Sequence, residues 1–398
     1  MFDSEKTRES RFDSFGACFI TLRYLLRLTF IFFLLIVSGC KFTSNDSETI
    51  RIGGLLPLTG NDSIYGISAN NGIQLAIEEN NHGSQLLGKT IQFISYDTKS
   101  TKLNAEHGMR ELYDKENVVA IIGEIASERT LIAAPIAQEL KIPLISPTAT
   151  NPTITDIGDY IFRTCFIDPF QGLAMAKFAF NNLKIKKVAI FSDGRSNYSS
   201  GLAEFFIDEF TKLGGVIVFE EDYSHTDNDF TLAIKRIQKS KPQAVFLPGY
   251  YNQVSDIVNQ AKALKFKPQW LGGDGWDTPE IYSQKNVNLR GGYFTSHFSS
   301  EPKDPLALEF IKKYTEKYKQ KPDGVAALSY DAARVLFNAI RRANSTENNK
   351  IRLALTKTEQ FPSVTGKITI NKNRDAQKTA FILRVDELKA TFVTRVEP

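Results

Sequence analysis

The residues of this chain that could do chemistry lie in short polar stretches, each directly behind an apolar run. Leu271-Gly272-Gly273-Asp274-Gly275-Trp276-Asp277 sets a carboxylate at the end of Gln269-Trp270-Leu271, among glycines expected to leave room for a small ligand to approach the backbone. Two earlier stretches carry hydroxyls: Gly123-Glu124-Ile125-Ala126-Ser127 follows Val118–Ile122, and Ser146-Pro147-Thr148-Ala149-Thr150 follows Pro143–Ile145. Two more carry aromatic rings, with Tyr198 behind Lys187–Phe191 and Tyr250 behind Ala244–Leu247. Hydroxyls and the amides of a helix start suit an anion such as a carboxylate. An acidic side chain beside aromatic faces suits an ammonium. A small zwitterion held between two halves of the molecule would satisfy both.

An ordinary reading stands beside each of these. Ser127 and Thr150 are residue types that cap helices. Tyr65, Tyr198, Tyr250 and Trp276 are also residues that fill cores, and Asp274-Gly275 is a common turn pair. Enzyme chemistry is harder to assemble. His82, His107, His225 and His297 fall at no metal-ligand spacing, and no cysteine pair exists to join them. Neither a nucleophile elbow nor a phosphate loop occurs. Gly53-Gly54 is not the dinucleotide fingerprint. The expectation is a protein that grips a ligand, without cofactor, metal or catalysis.

The elements that must position these stretches alternate. From residue 50, apolar runs at Ile50–Leu56, Thr90–Tyr96, Val118–Ile122 and Pro143–Ser146 are separated by helical spacing at Ala69–Glu79, Leu103–Tyr113 and Thr130–Leu140. After Arg163 a second series repeats the pattern: helices are expected at Phe170–Leu183, Gly201–Leu213, Phe230–Ser240 and Val254–Leu264, and strands at Lys187–Phe191, Val216–Phe219, Ala244–Leu247 and Gln269–Leu271. A strand at Gly292–Phe298, helices at Leu306–Tyr318 and Val325–Arg341, and strands at Gly366–Ile370 and Ala380–Val385 complete the chain. The fold class is α/β, with two doubly wound, Rossmann-like sheets. In such sheets ligands bind beyond the carboxyl ends of the strands, where all five polar stretches fall.

At 398 residues and a formal charge of +4, the chain has room for two cores and no bias toward nucleic acid. No basic run is interleaved with aromatics. The first forty residues differ from the rest: Arg23 and Arg27 flank an apolar run, Leu28–Val37, that ends in Ser38-Gly39-Cys40. This pattern describes an export signal, too short for the roughly 20 residues of a membrane span. The Val-Ser-Gly-Cys ending resembles the lipobox of bacterial lipoproteins, which implies a lipid anchor on Cys40 and a polar tether over 41–49. Cys165 is the remaining cysteine beyond Cys18 and Cys40, so no disulfide is expected and a buried inert thiol is.

From about residue 50 to the end, the chain resembles the leucine/isoleucine/valine-binding proteins of bacterial ABC importers, which have the type I periplasmic-binding-protein fold. The features that carry this are Ile50-Arg51-Ile52-Gly53-Gly54-Leu55-Leu56-Pro57-Leu58-Thr59-Gly60 with Tyr65-Gly66, then Gly72–Ala76, Tyr96-Asp97, Ile121–Gly123, Ile145–Pro147 with Ala149–Pro152, Phe162–Thr164, Tyr198 with Gly201–Ala203, Gly249–Tyr251 and Tyr330–Ala332. Their order over nearly the whole chain gives the resemblance its weight. It implies that Ser127 and Thr150, with backbone at Thr148 and Thr150, bind the carboxylate of an amino acid. Asp274 would pair with its ammonium, and Tyr65, Tyr198 and Tyr250 would line the pocket.

It also implies two lobes, 50–165 with 299–370 and 166–298 with 371–398, joined by crossings near 166, 298 and 370 and closing on a hinge. The implied partners are an amino acid, an ABC permease and a membrane reached through the lipid, the implied location is outside the cytoplasmic membrane, and a monomer is expected. The same fold also serves ligand-sensing and regulatory modules, which stand as the alternative. Departures from the family bear on specificity. Lys99-Ser100-Thr101 and Ala126 stand where a family disulfide is often found, Tyr65 replaces a tryptophan, and Asp274 is shorter than the usual glutamate. Trp276 would add bulk beside Asp274. Glu128-Arg129 is unusual after Ser127, and an acidic ligand group within reach of Arg129 is one expectation.

Overall fold

The computed structural model describes residues 49–299 and 304–398. The expected signal segment, Cys40 and all but the last residue of the tether lie outside them. The first lobe is built on β1 (Thr49–Leu56), α1 (Ser63–His82), β2 (Thr90–Asp97), α2 (Lys102–Asp114), β3 (Ile121–Gly123), α3 (Ser127–Leu140), β4 (Leu144–Ser146) and β5 (Ile161–Arg163). Its strands form one parallel sheet in the order β2-β1-β3-β4-β5. β3, β4 and β5 are buried throughout, which is why they read as unbroken apolar runs and not as alternation.

The second lobe follows with α4 (Asp168–Lys177), β6 (Lys187–Asp193), α5 (Asn197–Lys212), β7 (Val216–Tyr223), α6 (Thr231–Lys239), β8 (Ala244–Phe246), α7 (Tyr251–Ala263), β9 (Gln269–Gly272) and β10 (Tyr293–Ser296). The chain then returns to the first lobe through α8 (Pro305–Tyr318), α9 (Gly324–Ala343) and α10 (Asn348–Leu355). A two-residue ribbon, β11 (Thr369–Ile370) with β12 (Ala376–Gln377), precedes β13 (Ala380–Asp386) and β14 (Lys389–Val396). The second sheet runs β14-β13-β10-β9-β8-β6-β7, parallel from β10 to β7 and antiparallel across β13 and β14.

Each sheet is covered on both faces. In the first lobe α1, α8, α9 and α10 bury one face, with Ile73, Phe310, Tyr330 and Leu336 in that core, while α2 and α3 bury the other through Met109, Leu112 and Ala133. In the second, Phe206 and Phe210 of α5 cover one face and Ile234 and Ile257 of α6 and α7 the other. Burying one such side chain fully is worth about 1.5–3 kcal/mol.

Four elements were not expected: β5 and β12 are only three and two residues long, α10 is short and follows a polar stretch, and β14 is a largely exposed edge strand bearing Lys389 and Arg395. The helix expected over Phe170–Leu183 stops at Lys177 and ends in a π-helical turn, Phe178–Asn182.

Both sheets reverse their strand order beside the strand from which the winding starts. β3 lies on the opposite side of β1 from β2, and β8 on the opposite side of β6 from β7. The carboxyl ends at these switch points leave crevices that chain connections do not cover. The two crevices face one another.

Candidate ligand-binding site

On the first wall, β3 ends at Gly123 and α3 starts at Ser127, with Ala126 in the cap position and no side chain capping the helix. Ser127 is therefore the first helical residue and not the cap, which removes the ordinary reading given above. Its Oγ accepts from the Asn151 amide at 3.3 Å, leaving its proton to donate. The amides of this first turn have no acceptor within the helix, and the helix dipole places partial positive charge there. Thr150 is not a cap either, since Asn151 caps the following turn through a bond from the Thr153 amide at 3.0 Å. Thr148 spends its hydroxyl on the Ile125 carbonyl at 2.7 Å, which ties the two stretches together.

What fixes this wall is Arg163 at the end of β5. It is fully buried, pairs with Asp375 at 2.7 Å, and donates to the carbonyls of Ala149 at 2.9 Å and Asn151 at 2.7 Å. A buried guanidinium needs that many acceptors to offset its lost hydration. The loop bearing Thr148 and Thr150 takes its shape from them.

On the second wall, Asp274 follows β9. Its Oδ1 accepts from the Tyr198 hydroxyl at 2.8 Å, and its Oδ2 lies 3.1 Å from His297 Nε2. Its amide donates to Gln171 Oε1 at 2.7 Å. Burial pushes the Tyr198 phenol well up, so it donates to the carboxylate as a neutral hydroxyl, and it accepts from the Gly275 amide at 2.9 Å. Burial holds the His297 imidazole below its ordinary pKa, so the ring is neutral near pH 7. A carboxylate only accepts, which assigns the ring proton to Nε2. His297 also stacks on Phe166, with ring centres 3.6 Å apart.

Between the walls lies a cavity of about 530 Å³, counting its open mouth. Tyr65, Ser127, Thr148, Thr150, Tyr198, Tyr250 and Asp274, the residues singled out from the sequence, all line it. Tyr250 stacks on Tyr198 at 5.1 Å and meets Tyr65 edge-on at 5.8 Å. The Tyr65 hydroxyl crosses between the lobes, donating to the Gly275 carbonyl and accepting from the Tyr251 amide. Glu128 Oε1 also crosses, accepting from the Ser196 hydroxyl and the Tyr198 amide, and Asn151 Nδ2 donates to the Asn197 carbonyl at 3.0 Å.

Three expectations need correction. Trp276 does not stand beside the ligand space: its ring is fully buried in the core of the second lobe and its Nε1 donates to the Leu247 carbonyl at 3.1 Å. The glycines around Asp274 make room for the protein's own groups. A Cβ on Gly272 would lie 2.1 Å from the Trp276 ring, and one on Gly275 2.7 Å from the Gly249 carbonyl oxygen. Arg129 does line the cavity, but it already holds two acids, Glu124 at 2.8 Å and Asp62 at 2.6 Å, so it is not a free cation waiting for a ligand carboxylate.

Sequence reasoning missed His297, Asp62 and Asp277, all of which line the cavity. His297 was weighed only as a metal ligand, and the strand expected over Gly292–Phe298 enclosed it; β10 ends at Ser296, so that His297 follows β10 as Asp274 follows β9. Asp277 Oδ2 accepts from the Ser296 hydroxyl and, across the lobes, from the Gly324 amide at 3.2 Å. Burial and the neighbouring charge of Asp323 push its carboxyl up to about 7.

Comparison with known proteins places this geometry in context. The family model described as periplasmic binding protein matches residues 49–390. The leucine-, isoleucine-, valine-, threonine- and alanine-binding protein of Pseudomonas aeruginosa is 26% identical over 359 residues, 89% of this chain and 94% of that protein. Among solved structures, a leucine-binding protein of Thermotoga maritima is 38% identical with a TM-score of 0.84, covering 88% of this chain and 99% of its own. The branched-chain amino acid transporter substrate-binding protein of Streptococcus pneumoniae, in complex with isoleucine, is 31% identical with a TM-score of 0.83, covering 88% of this chain and 100% of its own.

Proposed function

The chain belongs to the type I periplasmic-binding-protein family, with the leucine/isoleucine/valine-binding proteins, and from that premise we propose that it captures a free amino acid outside the cytoplasmic membrane and delivers it to an ABC importer. One observation carries the reading: hydroxyls and uncapped helix amides on one wall face a carboxylate, Asp274, on the other. The α-carboxylate goes to Ser127 and the loop at Thr148 and Thr150. The α-ammonium goes to Asp274, whose two oxygens keep a lone pair each beyond the bonds from Tyr198 and His297. Tyr65, Tyr198 and Tyr250 enclose the ligand.

Binding of this kind is a two-wall event. The bonds made by Tyr65, Glu128 and Asn151 across the cleft support closure of the lobes 50–165 with 299–370 and 166–298 with 371–398 on a hinge. The Cys40 pattern supports a lipid-anchored protein, tethered over 41–49 and facing the periplasm or the cell exterior, and we take it as a monomer. Calorimetry of residues 41–398 against the twenty amino acids tests the reading. A folded protein that binds none of them overturns it. Cys40→Ser in the full chain is expected to release the protein from the membrane with its ligand affinity intact.

A further inference from the structure

Arg129 is five per cent exposed and lines the cavity beside Asp62 and Tyr250. Its Nε donates to Glu124 at 2.8 Å and its Nη1 to Asp62 at 2.6 Å, but Nη2 is buried without a partner among the described residues. Asp62 in turn uses Oδ2 for Arg129, and no bond to its Oδ1 is found among the described residues. An unmatched donor of a buried guanidinium costs more than a neutral one, because charged groups lose more hydration on burial. Arg129 is a wall residue of the cavity, so a ligand side chain that reaches this donor is favoured by the acceptor it supplies, and one without an acceptor is not.

We propose that the ligand is an amino acid with an uncharged polar side chain, a carboxamide or a hydroxyl, whose oxygen accepts from Arg129 Nη2 and whose N–H or O–H donates to Asp62. This deepens the amino-acid reading and rests on it. The sign of the charge follows from counting: one guanidinium already faces the two carboxylates of Glu124 and Asp62. Burial, opposed by Arg129 but assisted by the nearby charges of Glu124 and Glu128, leaves the Asp62 carboxyl above its ordinary range. A third negative charge on the ligand would meet that surplus. A purely aliphatic side chain would leave Nη2 without an acceptor.

The test uses ligands of matched shape on the folded protein by calorimetry: asparagine, leucine and aspartate as one set, threonine and valine as another. Asparagine is expected to bind at least tenfold tighter than both leucine and aspartate, and threonine at least tenfold tighter than valine. Leucine or valine binding as tightly as its polar counterpart overturns the proposal, and aspartate binding as tightly as asparagine overturns its uncharged class. Neither result touches the amino-acid reading, which fails only if no amino acid binds. In Arg129→Met the gap between asparagine and leucine is expected to fall below threefold; a gap that persists in the folded variant also overturns the assignment. Should that variant not fold, the wild-type series decides alone.

Discussion

The first wall of the cavity is made of backbone amides and the Ser127 hydroxyl, in positions that the fold fixes. Ser127 starts a helix, Thr148 is tied to the Ile125 carbonyl, and the loop between β4 and β5 is clamped by Arg163 through the carbonyls of Ala149 and Asn151. The second wall is made of side chains, and its carboxylate after β9, Asp274, is held by groups from other parts of the lobe: Tyr198 at the start of α5, His297 after β10 and Gln171 of α4. An anion can be met by many amides whose positions the fold already fixes. An ammonium needs a discrete acceptor, and a buried carboxylate needs its own partners to stay oriented. Damage to the first wall should therefore appear as lost stability, and damage to the second as lost affinity.

The largest effect is expected from Arg163→Met. It strands the Asp375 carboxylate and frees the carbonyls that shape the loop, a change of about 3–5 kcal/mol for a broken buried pair. Denaturant unfolding checks this, and a loss below roughly 1 kcal/mol would show that the loop holds itself. Next comes Asp274→Asn, which keeps the shape and removes the charge. Amino-acid affinity is expected to fall by at least tenfold, corresponding to roughly 1.5–3 kcal/mol for a charge-assisted bond, with the unfolding midpoint nearly unchanged. Unchanged affinity would remove Asp274 from the site.

Asp277, three residues on, separates orientation from binding within the second wall itself. Its folded carboxyl titrates at about 7, against roughly 3.9 in an unfolded chain. Between those values the folded state holds a proton that the unfolded state has lost, so stability declines as pH rises through the window and levels off above it. From pH 6 to 8 the Asp277 contribution to that decline is about 1.4 kcal/mol. Asp277→Asn is expected to remove about that much of the decline, read from thermal or denaturant unfolding across pH 6–8. His297, held below its ordinary value, works the other way, since it makes the folded state harder to protonate below about pH 6.5. The smallest effect is expected from Tyr198→Phe, a roughly threefold loss of affinity, because Asp274 keeps the bond from His297. A loss as large as that of Asp274→Asn would mean that the Tyr198 hydroxyl itself bonds the ligand.

Much of this was legible in one dimension. Short buried strands read as apolar runs, helices as 3.6-residue spacing, and the polar stretches after the strands located the cavity before any coordinates did. His297 was not legible, because the expected strand ran past it to Phe298 while β10 ends at Ser296. Trp276 and its neighbouring glycines were misread because strand-end position says that a residue is near a crevice, not which way its side chain turns. The indole turns inward because Gly272 leaves space for it and the Leu247 carbonyl gives its N–H a partner.

Local pattern was enough for the α/β class, the two parallel windings and the polarity of each wall, because helix and strand periods and strand-end chemistry depend on residues near one another in the chain. The pairing of Arg129 with Asp62, of Arg163 with Asp375, and of Asp277 with the Gly324 amide depends on contacts between segments far apart in sequence. Those contacts set which charges are already answered and which buried donor is not. Charge alone made Arg129 a candidate for an acidic ligand; two acids folded against it turn the expectation toward an uncharged one.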